Sequence, residues 1–251
     1  ARGGEVEATA WGPGAEWALE HTPQLLGEED RPEEFEPRHP FLSALQARFT
    51  GMRIGRSEAV VEALVASVIE QKVPSVQAHL SQFRLVMSWG ERAPAPNGIR
   101  PGPALMLPPD PRVLAELPYY AFHPLGIERR RADTIRRCCA WAQKLEAASS
   151  IPIAEAHRRL MMIPGVGPWT AAEVAAVALG DPDAVSVGDY HLPHQVSWAL
   201  EAEARGTDAR MLELLEPYRG QRGRVIRLIT ASGLRPPRFG HRMPLRSIAH
   251  I

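Results

Sequence analysis

The segment 159–179 joins two apolar helical patterns through a Pro-Gly-Val-Gly turn. Gly165 and Gly167 permit backbone conformations and close approaches that other residues resist. The helix after the turn presents unpaired N–H groups and the positive end of its dipole, which together bind anions such as phosphate. Val166 is suited to fill the space between the two helices. An αα-hairpin whose glycines serve only the turn is the alternative that this pattern leaves open.

Helical spacing of apolar residues predominates in the rest of the chain. The clearest case is 57–72, where Ser57 is placed as an N-cap and one side is almost wholly apolar. Further helical patterns cover about 75–90, 110–117, 129–148, 152–162, 169–179, 190–204, 207–216 and 220–232, and 92–109 is a Pro/Gly-rich loop. Alternation indicates a strand only near 5–11. The sequence therefore predicts a mainly α fold, α+β overall, with part of a β-containing domain at 1–37.

The composition excludes several classes of protein. A chain of 251 residues with 45% hydrophobic and 23% charged residues is typical of one large or two ordinary globular domains, and not of disordered, collagen-like or coiled-coil proteins. No apolar run reaches the roughly 18 residues of a membrane span, and no secretory leader is evident, so we expect a cytoplasmic protein without a membrane partner. Cys138 and Cys139 are the only cysteines, too few for an iron–sulfur cluster or a zinc site.

Charge is unevenly distributed along a chain that is neutral overall, with 29 basic and 29 acidic residues. Residues 1–50 are rich in acids, whereas 217–251 contain arginines and no acid. A second group of arginines lies at 129–137. Guanidinium groups match phosphate oxygens in two-point geometry, so an arginine-rich face suits a phosphate backbone. The alternative is that arginine is simply the usual surface cation of this protein.

Two motifs are more specific than the turn alone: I-P-G-V-G-P-W-T-A at 163–171 and V-G-D-Y-H-L-P at 187–193. On these motifs, 38–232 resembles the helix-hairpin-helix DNA glycosylases, and most of all their bacterial 3-methyladenine branch. The resemblance implies a two-lobed fold with a cleft between the lobes. It places the helix-hairpin-helix at about 152–179 and leaves 233–251 as a basic C-terminal tail.

Asp189 occupies the position at which the family has its catalytic aspartate, one helix and a loop after the hairpin. Cleavage of an N-glycosidic bond develops positive charge on the sugar, which a nearby carboxylate can stabilise while it orients or deprotonates the attacking water. Alkylation at a ring nitrogen already makes the base a good leaving group, so a strong general acid is less necessary. Asp189 also suits a helix N-cap, and the two roles are compatible.

Trp169 determines the subclass that the resemblance implies. Bifunctional members of the family carry a lysine at this position of the hairpin, whose amine forms a Schiff base with the sugar. Tryptophan cannot form one, so the resemblance implies a monofunctional enzyme that uses water and leaves an abasic site. Trp169 and Tyr190 become candidates for the base pocket, where an indole would attract a cationic purine. A core position for Trp169 is the alternative.

The resemblance also assigns residues to DNA binding. Gln71 and Lys72 lie where the family inserts a wedge into the duplex, and a surface position for Lys72 is the alternative. The backbone carbonyls of a hairpin in this family hold a monovalent cation, Na⁺ or K⁺, as a structural ion and not as a required cofactor. The residues expected to contact phosphate are Gly165, Val166, Gly167, Thr170, Arg219 and Arg222, and those expected to bind the cation are Met161, Ile163 and Val166.

The combined reading is a monomeric DNA repair glycosylase that acts at the nucleoid. It would flip N-methylated, cationic purines out of double-stranded DNA and excise them hydrolytically. Two alternatives remain open at this stage. One is a helix-hairpin-helix module that binds DNA without catalysis, for which a carboxylate such as Asp189 has no use. The other is a glycosylase for another lesion, such as uracil, hypoxanthine or a bulky alkyl adduct.

Overall fold

Among the residues that the computed structural model of the protein describes, 4–94 and 105–237, the regular secondary structure is almost entirely helical. A π-helical turn, Ala175–Leu179, directly follows a helix that ends at Val174. The mainly α fold is therefore confirmed. The helices are α1 (Ala15–Glu20), α2 (Thr22–Leu25), α3 (Pro40–Arg48), α4 (Val60–Glu70), α5 (Ser75–Trp89), α6 (Pro111–Glu116), α7 (Arg129–Ala140), α8 (Ala142–Glu146), α9 (Ile153–Met161), α10 (Pro168–Val174), α11 (Leu192–Glu201), α12 (Asp208–Leu215) and α13 (Arg222–Ala231).

The strand predicted near the N-terminus does not form. Residues 6–11 have no regular secondary structure, and most of them are exposed. The Trp11 indole donates a hydrogen bond to the carbonyl of Pro94 at 2.7 Å, which attaches this segment by a side chain and not by a ladder. An alternating pattern makes a strand only when a neighbouring strand pairs with it. Among the described residues the β pairing outside the N-terminus is one isolated bridge, Arg92 with Met106.

Helix α4 is the centre of the first hydrophobic core, as its apolar composition predicts. Leu64, Val68 and Ile69 are fully buried. The helix packs against α5, α7 and α10, which supply much of the surrounding apolar surface. A helix that is apolar on most sides is stable only when neighbours cover it. This cluster forms the first lobe.

The second hydrophobic core is built from both ends of the described chain. Helix α3 packs against α13, which also contacts α11, and α12 packs on α11. The buried residues at their contacts include Leu42, Val196, Met211 and Ile229. The segment 181–191 passes from the first cluster to the second, because Ala184 belongs to one and Val185 packs on the other. The chain therefore has the two lobes expected of it, and the Asp189 loop connects them.

The start of α4 differs from the prediction. Ser57 was predicted as its N-cap, yet the helix begins at Val60 and its capping residue makes no side-chain cap. The carboxylate of Glu146, on α8, accepts hydrogen bonds from the N–H groups of Val60 at 2.9 Å and Val61 at 3.0 Å. A carboxylate at this end also complements the helix dipole. A tertiary contact thus replaces the local cap that the sequence indicated.

A buried ion pair attaches the N-terminal segment to the second lobe. The side chains of Asp30 and Arg224 are 2% and 4% exposed, and Arg224 donates to the Asp30 carboxylate. Asp30 also accepts a hydrogen bond from the Ile54 N–H at 2.9 Å. Removing one partner of a buried pair leaves an uncompensated charge, which costs more than the pair itself contributes.

We expect Asp30→Asn to lower the free energy of unfolding by about 3 kcal/mol, because it leaves the Arg224 charge buried without a counter-ion. Urea unfolding followed by circular dichroism measures this. The matched control is Glu155→Gln, which breaks the exposed Arg159–Glu155 pair on α9 and should cost less than about 1 kcal/mol. Equal effects of the two substitutions would contradict the assignment of a stabilising role to Asp30.

Candidate active site

The hairpin turn between α9 and α10 has the geometry that its glycines allow. Gly165 has φ +101°, and a Cβ at this position would lie 2.2 Å from Thr134 Oγ1 on α7. Gly167 is the extended N-cap of α10, and a Cβ there would meet no atom within 4 Å. Val166 is 5% exposed and lies in the first core, as predicted. Gly165 therefore serves the turn, whereas Gly167 leaves open space in front of the α10 N-terminus.

Gln71 fixes the hairpin to α4 and does not project as a wedge. Its side-chain amide donates to the Gly165 carbonyl at 3.0 Å and to Thr170 Oγ1 at 2.9 Å. Thr170 is 2% exposed, so its hydroxyl serves this contact and not a phosphate. The structure therefore holds both side chains within the fold, and their assignments to DNA stay predictions. The backbone N–H of Thr170 is a further group that can meet a phosphate.

Lys72 lies at the exposed turn between α4 and α5 and is brought beside the hairpin by its neighbour Gln71. Its backbone has φ +56°, the left-handed region, which costs a residue with a side chain about 1 kcal/mol. Strain of this kind is concentrated at functional sites. The position suits the predicted wedge. Lys72 is far from the hairpin in sequence but close to it in space.

An arginine side chain, Arg137, lies beside the hairpin, and the sequence analysis did not single it out. Arg137, an exposed residue of α7, donates from its guanidinium to the carbonyl of Pro164. Thr134 on the same helix face packs against Gly165, so α7 supports the turn through two residues three positions apart. Only the arginine group 129–137 pointed to this contact, since its members could not be told apart by sequence. Arg131 is buried by contrast, and it donates to the Ile69 carbonyl at 2.6 Å.

The Asp189 carboxylate is held by three donors at the start of α11. Oδ1 accepts the N–H groups of His191 at 2.7 Å and Leu192 at 2.8 Å. Oδ2 accepts the indole N–H of Trp169 at 3.2 Å. Asp189 therefore caps the helix, as predicted, and is also joined to the hairpin, while its catalytic role stays a prediction. Both side chains are half-buried. Trp169 contacts the Asp189 carboxylate through its indole N–H group.

Glu173 is a residue of this site that the sequence interpretation missed. It lies four residues after Trp169, on the same face of α10, and its carboxylate accepts a hydrogen bond from the Ser186 hydroxyl. Burial raises the pKa of Glu173 above its usual value, partly offset by the Ser186 hydrogen bond, and the nearby Glu70 and Asp189 raise it further. The helical spacing from Trp169 was the signal that could have found it.

Glu70, at the end of α4, adds a further carboxyl group to this region. Burial raises its pKa, His79 opposes the shift and Asp189 adds to it. Glu70, Glu173 and Asp189 therefore influence one another electrostatically in a partly desolvated place. Such a site favours a cation, or a carboxyl group that keeps its proton.

Tyr190 is placed beside Asp189 by the chain but is not enclosed. Its side chain is 76% exposed, and its ring lies edge-on to His191 with a centroid separation of 4.9 Å. The assignment of Tyr190 to the base pocket stays a prediction.

Arg222 is not free to bind phosphate. Its guanidinium forms a two-point contact with Asp183 at 2.8 and 2.5 Å, and Asp183 also accepts the N–H of Gly220 at 2.7 Å. The phosphate contact of Arg222 stays a prediction, and it requires this pair to open. Arg219 is exposed and paired with Glu216 at 2.7 Å, an exposed contact that a phosphate can displace. Arg219 keeps its predicted role as a candidate.

The hairpin carbonyls are compatible with the predicted monovalent cation. Among the described residues, no hydrogen bond reaches the carbonyls of Met161 and Val166, and that of Ile163 accepts one from the Val166 N–H. Carbonyl oxygens with free lone pairs suit hard cations. No group of His, Cys, Asp and Glu suited to a metal occurs in the described part of the chain.

No helix in that part is both long and apolar enough to cross a bilayer.

The geometry can be compared with known proteins. No family model matches the sequence. A "Probable bifunctional transcriptional activator/DNA repair enzyme AlkA" of Mycobacterium tuberculosis is 32% identical over 156 residues, which cover 61% of this chain. The match covers 30% of that protein's length, so the chain spans less than a third of this relative.

Solved structures match over more of the chain. A 3-methyladenine DNA glycosylase from Archaeoglobus fulgidus is similar with a TM-score of 0.73 and 21% identity, over 91% of this chain and 78% of the other. Mag1, a 3-methyladenine DNA glycosylase of Schizosaccharomyces pombe in complex with abasic DNA, matches with a TM-score of 0.63 and 19% identity, over 80% and 96%. The resemblance read from the motifs is thereby confirmed, and the chain has the fold of the helix-hairpin-helix DNA glycosylases.

Proposed function

We propose that this protein is a DNA glycosylase that hydrolyses the bond between deoxyribose and an N-alkylated purine, leaving an abasic site. The observation that carries the proposal is the Asp189 carboxylate, held at the start of α11 and joined to the hairpin by the Trp169 indole. A protein that only binds DNA does not need an oriented carboxylate beside its phosphate-binding turn. The names of the relatives, a DNA repair enzyme and 3-methyladenine glycosylases, support the same function.

Asp189 acts on the sugar and the attacking water. As the glycosidic bond lengthens, positive charge develops at C1′, and a fixed carboxylate stabilises that charge. The Trp169 N–H uses one acceptor position of Oδ2, which leaves the oxygen able to accept a proton or a hydrogen bond from water. The cationic base leaves without prior protonation.

The hairpin and its neighbours hold the DNA. The N–H groups at the start of α10 face the open space at Gly167 and bind one phosphate. Arg137 adds a positive charge beside the turn, and Lys72 enters the duplex where the damaged base leaves it. A monovalent cation on the carbonyls of Met161, Ile163 and Val166 would rigidify the turn.

Recognition of the base uses the face of Trp169, with Tyr190 closing over it. Indole and phenol rings attract a cation positioned over them, and the effect increases once water is excluded. The Asp189 carboxylate has the same preference for positive charge. We assign the protein to double-stranded DNA at the nucleoid, as a cytoplasmic monomer.

We expect Asp189→Asn to lower the release of methylpurines by at least about 100-fold, because the amide cannot carry the compensating negative charge. Methylated duplex DNA is incubated with enzyme in excess, and free bases are measured by chromatography. Asparagine keeps the oxygen that caps α11, so DNA binding should be retained. Alkali treatment then reveals abasic sites as strand breaks.

Three other outcomes would count against the proposal. Equal loss of binding and excision in Asp189→Asn would indicate misfolding of the loop. Strand breaks that appear without alkali would overturn the hydrolytic step and direct attention to Lys72, a lysine beside the hairpin. Release of no base by the wild type, with binding retained, would favour a DNA-binding module or another lesion.

We expect Gly167→Ala to weaken DNA binding by about 10-fold with little loss of stability. The new methyl group enters open space, so the fold tolerates it, but it blocks the approach of a phosphate to the α10 N–H groups. Fluorescence anisotropy at fixed salt measures the dissociation constant. Gly51→Ala is the matched control, since its Cβ also meets nothing within 4 Å. Unchanged affinity in Gly167→Ala would remove the hairpin from DNA binding.

A further inference from the structure

We infer that Glu173 is a second catalytic residue, which protonates the departing base when the lesion is a neutral purine. The inference rests on the proposed glycosylase function. Trp169 and Glu173 lie one turn apart on the same face of α10, and both bond to the loop that carries Asp189. Neighbouring positions on a helix face are about 5–6 Å apart, which is close enough for both residues to act on one nucleotide.

The different surroundings of Asp189 and Glu173 suit these two acids to different roles. Both oxygens of Asp189 accept hydrogen bonds from N–H groups, which cannot reverse their role as donors. Glu173 has no such set: its described hydrogen-bond partner is the Ser186 hydroxyl, which can also accept if Glu173 is protonated. Two carboxyl groups with partners that differ in this way suit a general base and a general acid.

The charged groups around Glu173 support this division. Burial raises the pKa of Glu173 and the Ser186 hydrogen bond lowers it, while Glu70 from α4 and Asp189 raise it. Arg227 from α13 lowers the Glu173 pKa and is the weakest of these influences. Its guanidinium donates to the carbonyl of Ala176. Glu173 therefore keeps its proton to a higher pH than an ordinary glutamic acid does.

The glycosidic C1′–N bond breaks and its electron pair goes to the base, while the Glu173 proton goes to a ring nitrogen of that base. Water attacks C1′, its oxygen forms the new bond and its proton passes to Asp189. Exchange with solvent then returns the proton to Glu173 and removes it from Asp189. The sum is hydrolysis, with one water consumed.

Comparing a cationic lesion with a neutral lesion distinguishes general acid catalysis by Glu173 from its other possible roles. A 7-methylguanine base already carries a positive charge and needs no proton, whereas hypoxanthine is a poor leaving group until it is protonated. General acid catalysis by one side chain contributes about 10²–10⁴-fold. Loss of Glu173 should therefore affect one substrate and spare the other.

The test compares single-turnover rates of the wild type and Glu173→Gln on duplexes containing either 7-methylguanine or hypoxanthine. Glutamine keeps an oxygen for the Ser186 hydrogen bond but carries no transferable proton. We expect hypoxanthine release to fall about 100-fold and 7-methylguanine release to change less than about 3-fold. The matched control is Glu62→Gln, because burial also raises the Glu62 pKa but its charged neighbour is Glu146.

The pH dependence gives a second readout that a structural role would not change. The rate of hypoxanthine release by the wild type should fall as pH rises through the raised Glu173 pKa, which gives its pH–rate profile a descending limb. The pH–rate profile of 7-methylguanine release should lack this limb. Ser186→Ala removes a hydrogen bond that lowers this pKa, so it should move the limb to higher pH. Glu173→Gln should abolish the limb.

Each other result overturns the inference. Equal losses on both substrates would make Glu173 a structural tie, and a loss confined to 7-methylguanine would make it an anion that binds the cationic base. Wild-type release of 7-methylguanine without hypoxanthine would overturn the acid role and leave the proposed function standing. Wild-type release of neither base, with binding retained, would overturn both.

Discussion

The way in which the Asp189 carboxylate is held determines what the rest of the site can do. One oxygen accepts two N–H groups at the start of α11, where the helix dipole favours negative charge. The other accepts the Trp169 indole N–H, which fixes its direction. The carboxylate is thus oriented before any substrate is present, and preorganisation of this kind is the main source of electrostatic catalysis.

The loop that carries Asp189 is attached at regular intervals to three different elements. Asp183 binds Arg222 of α13, Ser186 binds Glu173 of α10, and Asp189 binds Trp169 and the start of α11. These tethers recur at every third residue of a segment that has little regular structure of its own. Because the loop also joins the two hydrophobic cores, its rigidity makes the position of the carboxylate a property of both lobes.

The helices and the hairpin were predictable because their signals are local, whereas Trp169 and Asp189 were each singled out by the resemblance and their hydrogen bond was not predicted. Periodicity located most helices, although α4 begins three residues after its predicted cap because Glu146, from α8, caps it. The side chains of Gln71 and Arg222, which were assigned to DNA, have partners within the fold that are far away in sequence. The sequence identified both as polar residues that could contact DNA, but it offers no means to distinguish such a contact from a hydrogen bond within the fold.

The arginine-rich end of the chain illustrates the same limit in electrostatic terms. Arg222 and Arg224 of α13 pair with Asp183 and Asp30, so two arginines of the basic C-terminal part are neutralised inside the fold, one of them by an acid of the N-terminal segment. The salt dependence of DNA binding counts only the cations that meet phosphates. Arg222 and Arg224 add nothing to it while their pairs hold, whereas the exposed Arg219–Glu216 pair can open. In the proposed complex, binding by the described residues therefore depends on backbone N–H groups, on Arg219 and on the cations near the hairpin. The Asp189 carboxylate beside the hairpin would repel a phosphate, so that space suits a base.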